Sequence, residues 1–170
     1  MFNTGDTIVH SRYGAGKVVG KKTITLDGEE RHYICIELSA GRGTLMVQPE
    51  EVNPEEVRET MDDMSLIREV FAKTPQELSD QHRSRQPKLQ AKLRSNNPKK
   101  IAEALRDLMW REATNGLTET DRRIMMEARQ KIIQELKISD EITEGTRKLD
   151  EMTQKAIVKH VEKSDLTAAV

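Results

Sequence analysis

The period of the apolar residues changes once along this chain, near Pro54, and no other feature limits its fold as much. Up to that point β-branched runs alternate with glycine-bearing turns, the pattern of short antiparallel strands. Thr7-Ile8-Val9 follows the Gly5-Asp6 turn, and Tyr13-Gly14-Ala15-Gly16 leads into a run from Lys17 to Leu26. Asp27-Gly28 is a two-residue hairpin signal, because a type I′ turn needs positive φ that Gly accepts without a Cβ penalty. His32 to Leu38 is the return strand. Gly41-Arg42-Gly43 is a second break, and Thr44-Leu45-Met46-Val47 a further strand that Pro49 ends. Four or five short strands in so little chain predict a small, curved sheet or barrel. The edges of such a sheet are sites where a strand of another protein can add.

Beyond Pro54 the spacing is helical. Met64, Ile67, Val70 and Phe71 mark a short helix, and Pro75 and Pro87 are expected to divide the next stretch into short pieces. Asn97-Pro98 starts a longer helix: Asn caps it, and Pro at the first helical position loses no needed hydrogen bond. Ile101, Ala104, Leu105 and Leu108 form its stripe, and Asn115-Gly116 its stop. Thr118 is the expected cap of the next helix, whose stripe is Ile124, Met125, Ala128, Ile132 and Leu136, so the two make an antiparallel helical hairpin. Leu149, Met152, Ala156, Ile157, His160 and Val161 fit one more amphipathic helix, with Ser164 to Val170 frayed. The expected architecture is α+β, with a sheet over residues 1–55, a helical domain over 56–138 and a helical extension over 139–170. Dimerisation and docking onto the helical domain are both open as roles for the extension.

Composition removes several classes. Only 3% of the 170 residues are aromatic, so the core must be built from Ile, Leu, Val, Met and Ala. No run approaches the ~20 apolar residues of a spanning helix. Met1 to Asp6 shows neither the basic head nor the apolar run of a secretory signal, and the cytoplasm is the expected location. Cys35 is the single cysteine, which excludes an intrachain disulfide or a cysteine zinc cluster; between Ile34 and Ile36 it is expected as a buried core thiol. The four histidines have no metal-ligand spacing, and His10, His32 and His160 read as surface or half-buried residues. Gly14-Ala15-Gly16-Lys17 lacks the spacing of a phosphate loop and runs into a strand, so it reads as a β-turn. Glu55-Glu56 and Asp62-Asp63 read as solvated carboxylates, and Trp110, beside Leu108-Met109, as a packing residue. No enzymatic activity, metal or cofactor is expected.

The formal net charge of −1 argues against a polyanionic partner until its distribution is considered. From Gln81 to Ala102 the chain carries Arg83, Arg85, Lys88, Lys92, Arg94, Lys99 and Lys100 and no acid. Solvated helix faces normally mix signs to gain i,i+4 pairs. Here Lys88, Lys92 and Arg85 are expected on one side of a helix, while Lys99 and Lys100 crowd a helix start against its dipole. Backbone-phosphate binding relieves that repulsion. No aromatic interleaves with the block, which favours duplex phosphates over base stacking.

The opening Gly5-Asp6-Thr7-Ile8-Val9-His10, followed by Tyr13-Gly14-Ala15-Gly16-Lys17-Val18, resembles that of the CarD/CdnL family of bacterial transcription regulators. Tyr33-Ile34-Cys35-Ile36, Ile101 to Leu108, and Gly116-Leu117-Thr118-Glu119 through Glu135-Leu136 also resemble that family, so the likeness spans about residues 1 to 138. The first motif alone is also similar to the polymerase-binding module of the transcription-repair coupling factor; the helical half separates the two. The resemblance implies a Tudor-like or SH3-like N-terminal β-barrel that binds the β subunit of bacterial RNA polymerase. It also implies a helical bundle that touches promoter DNA, without sequence recognition, at the upstream edge of the melted bubble and stabilises the open complex.

Family members carry a Trp wedge just ahead of the basic helix, a position that falls on His82. Arg85 matches a family arginine, whereas Ser84 and Pro87 stand where other members are basic, with Arg83 and Lys88 beside them. The hairpin and fourth-strand arginines of the family fall near Ile24 and Met46, with Lys22 and Arg42 close by. The expected polymerase-facing residues are therefore Lys22, Thr23, Ile24, Thr25, Arg42, Thr44 and Met46. The expected DNA-facing residues are His82, Arg83, Arg85, Lys88, Lys92 and Lys99. A protein-interaction adaptor with a Tudor-like module and no DNA contact is the alternative.

Overall fold

The computed structural model describes residues 2–39, 41, 43–53, 55–61, 64–138 and 142–168. Five antiparallel strands form one sheet: β1 (Thr7–His10), β2 (Gly14–Leu26), β3 (Glu29–Leu38), β4 (Thr44–Val47) and β5 (Val57–Glu59), in the order β4-β3-β2-β1-β5. The Asp27-Gly28 turn is as expected, with φ of 53° and 84° at its two residues. Alternation along β1 to β3 puts Ile8, Val18, Ile34, Ile36 and Leu38 on one buried face, where Val57 joins them. Gly16 is required there: a Cβ would come within 2.7 Å of Ile36 Cγ2 and 2.8 Å of the Glu37 carbonyl.

Three details of the sheet depart from the sequence reading. The sheet continues past residue 55, because β5 pairs with β1, Val9 opposite Arg58. Val57-Arg58-Glu59 is too short and too polar to read as a strand alone. Gly14 and Gly16 belong to β2 rather than to a turn. Cys35 is half-buried, since it faces away from Ile34 and Ile36. Arg42 and Asp62-Asp63 lie outside the described residues.

Five helices follow: α1 (Ser65–Ala72), α2 (His82–Arg94), α3 (Pro98–Thr114), α4 (Glu119–Ile138) and α5 (Ile142–Ala168). Asn97 caps α3 by accepting from the Lys100 amide at 3.2 Å. Thr118 and Asp121 cap α4 reciprocally: the Asp121 amide donates to Thr118 Oγ1 and the Thr118 amide to Asp121 Oδ2. Pro87 does not interrupt α2. It removes only the amide that would donate to the Arg83 carbonyl, and the buried stripe Arg85, Leu89, Leu93 holds the helix on the bundle.

Central α3 packs against all the other helices and buries most of its circumference. Trp110 is half-buried against this core. α5 lies on α1, α3 and α4 through Leu149, Thr153 and Ile157, so the extension docks onto its own bundle, and Ser164 to Ala168 continues the helix. Among the described residues no helix is long and apolar enough to cross a membrane, and no group of three His, Cys, Asp or Glu could hold a metal.

Candidate nucleic-acid interface

The basic block occupies α2, the turn after it and the start of α3, but its cations have divergent fates. His82 is the first residue of α2, and it, Arg83 and Lys88 are exposed, as is Lys99 at the second position of α3. Arg83, Lys88 and Lys99 have no ion pair among the described residues. Lys92 is half-buried and held between carboxylates, 3.3 Å from Glu103 and 3.7 Å from Asp107.

Arg85 is the correction. Its side chain is 3% exposed and grips Asp121, which is fully buried. Nη2 donates to Asp121 Oδ2 at 2.5 Å and Nε to both carboxylate oxygens at 3.2 Å. A guanidinium so enclosed cannot reach a phosphate without dismantling the bundle. Burial works to raise the Asp121 pKa. Hydrogen bonds from Arg85, from the Thr118 hydroxyl and amide, and from Gln86 more than reverse it and hold the carboxyl well below the usual carboxylate range.

Arg85 has a second task. Its Nη1 donates to the carbonyls of Ser79 and Asp80, at 3.2 and 2.6 Å. From α3, Arg111 reaches the same segment and donates to the Leu78 carbonyl and to Asp80 Oδ1. Two buried arginines thus fix the chain that enters α2 and hold His82 on a rigid ledge. The signal for Arg85 was present in the spacing: it lies four residues before Leu89 and eight before Leu93, on the stripe that must face the core.

The sheet and the bundle have separate apolar cores, and a polar junction joins them. Glu135 of α4 is 2% exposed and accepts Arg58 Nη1 and Nη2 at 2.6 and 2.8 Å and the Met61 amide at 2.6 Å. Arg58 Nε donates to the Asn96 carbonyl at 2.5 Å. Asn96, at φ 51° between α2 and α3, sends its own amide group back to the Val9 and Glu56 carbonyls. The turn inside the basic block is therefore bonded directly to the sheet. Apolar periodicity carries no trace of Arg58 or Asn96.

On the sheet, the first half of β2 pairs with β1, but Lys21 to Leu26 pairs only with β3. That stretch and the outer side of β4 are free edges among the described residues. Lys22, Thr23 and Thr25 are exposed and Ile24 is half-buried on the first; Thr44 is exposed and Met46 half-buried on the second.

Comparison with known proteins agrees with this two-part arrangement. Residues 2–59 match the CarD-like/TRCF RID domain, and residues 66–151 match the CarD C-terminal domain. The chain is also 25% identical over 146 residues to YdeB of Bacillus subtilis (strain 168), a candidate transcription factor; the match covers 85% of this chain and 95% of that one. With a sheet and a helical bundle that each match their counterpart in the expected order, the chain belongs to the CarD-like family of transcription regulators.

Proposed function

We propose that this protein docks on the β subunit of bacterial RNA polymerase through the free edges at Lys22–Thr25 and Thr44–Met46. It then lays the exposed start of α2 and α3 against promoter DNA, without sequence recognition, and so stabilises the open complex. The observation that carries the reading is the junction: Asn96 and Glu135 bond the cation-bearing turn and α4 to the sheet, so one docking event fixes where the cations sit. Arg83, Lys88 and Lys99 are the phosphate ligands, and His82 faces the minor groove from its ledge. An imidazole buries less apolar area than the indole that family members carry there, so the wedge is weaker.

The test is the salt dependence of promoter DNA retention, with and without polymerase, together with open-complex lifetime. Arg83→Glu and Lys88→Glu are each expected to shorten the lifetime and lower the log–log salt slope by about one. His82→Trp is expected to lengthen it. Polymerase binding with no DNA retention at any salt, and an unchanged lifetime in both charge reversals, overturns the DNA contact and leaves an adaptor.

A further inference from the structure

A groove of about 380 Å³ runs between α1 and α5. Its floor is apolar, made by Phe71, Met152 and Ala156, and its rim carries Arg68 from α1 and Lys159 and Lys163 from α5. Among the described residues no carboxylate lines it. All three rim cations are exposed and unpaired among the described residues, whereas Lys73, Arg122, Arg129 and Arg147 on the same bundle each hold an acid. Lys159 and Lys163 stand one helical turn apart, a like-charge spacing that destabilises an isolated helix. His160 fixes the groove's depth, because its Nε2 donates to the Phe71 carbonyl at 3.1 Å and ties α5 to the end of α1. The α5 wall, from Met152 to Lys163, lies wholly beyond residue 151, where the match to the family's C-terminal domain ends.

We infer that this groove is a second docking surface and that it takes an acidic amphipathic segment of a partner protein. The charge complementarity is with Asp and Glu side chains. The apolar floor selects a peptide that also presents aliphatic side chains, which the phosphate backbone of a duplex lacks. The inference is independent of the polymerase and DNA contacts proposed above. The basic start of α3 is nevertheless close enough for Lys99 to act on the Glu69 carboxylate, next to Arg68, so duplex DNA is the rival to exclude.

The experiment uses the full chain and fluorescence anisotropy of a labelled peptide with Leu at i,i+4 spacing and Asp or Glu elsewhere. Its two controls are the same peptide with Lys for each acid and the same peptide with Ser for each Leu. Binding of the acidic amphipath alone is expected, weakened about tenfold or more by Lys159→Glu/Lys163→Glu and by Ala72→Glu, at the exposed end of α1 that lines the groove beside Phe71. Promoter DNA salt slopes should be unchanged in those variants. No binding, equal binding of the Ser control, or displacement of the peptide by short duplex DNA together with a lowered salt slope in the double variant overturns the inference.

Discussion

Arg83 and Arg85 are two residues apart and carry the same charge, yet replacing each with Ala should do different things. Arg85→Ala removes one partner of a pair whose side chains are 3% and 0% exposed. Breaking such a pair costs about 3–5 kcal/mol, because the remaining charge is left in a poor solvent. Asp121 keeps the Thr118 amide, the Thr118 hydroxyl and Gln86 as donors, which places the loss near the lower end, about 3 kcal/mol. With a urea slope of about 1–3 kcal/mol per molar, the unfolding midpoint should fall by roughly 1–3 M. Arg83→Ala touches nothing buried and should leave the midpoint within error while weakening DNA retention. The assay is urea unfolding followed by circular dichroism, alongside DNA retention at native-favouring urea for both variants. An Arg85→Ala protein that unfolds at the wild-type midpoint, yet loses salt slope as Arg83→Ala does, refutes the assignment of Arg85 to the bundle.

Stability should also carry a pH signature of Asp121. Its folded pKa lies below the ordinary value of 3.8, so its contribution is fully present above that value and is lost as pH falls below it; Asp121→Asn should flatten that part of the acid-unfolding curve. Glu135→Ala should cost about 3 kcal/mol, since Arg58 retains some solvent. It should also separate two unfolding transitions that are expected to coincide in the wild type, one seen by Trp110 in the bundle and one by Tyr33 of β3. Gly16→Ala should cost about 1–3 kcal/mol in thermal or urea unfolding, because the new methyl meets both Ile36 and the Glu37 backbone.

The strands up to Val47, the caps at Asn97 and Thr118 and the helical stripes were legible because each is local: a turn residue, a cap or a repeat within one element. The strand Val57–Glu59 was not, because its pairing with β1 depends on residues some fifty positions earlier and leaves no periodic signal in three residues. The candidate site was legible as a region but not residue by residue. Charge counts treat Arg83, Arg85 and Lys92 alike, and only packing separates the exposed cation from the one clamped on Asp121 and the one held by Glu103. The junction through Arg58, Asn96 and Glu135 was illegible for a further reason. Buried polar groups are selected by partners distant in sequence, and their residue types are those of ordinary surface positions.

The polar junction also bears on how the molecule is made. During synthesis the sheet is complete once β5 has emerged, and among the described residues its apolar cluster draws on nothing later than Val57. The bond between Arg58 and Glu135 spans 77 residues, so it cannot form before α4 has been made, and only α5 is left to join the bundle after it. Before that bond forms, Arg58 at the sheet edge has the Glu59 carbonyl and, once the turn after α2 is made, the Asn96 carbonyl as acceptors. The order of emergence from the ribosome thus sets when the two halves can be tied together: first through Asn96, between α2 and α3, and then through Glu135 of α4.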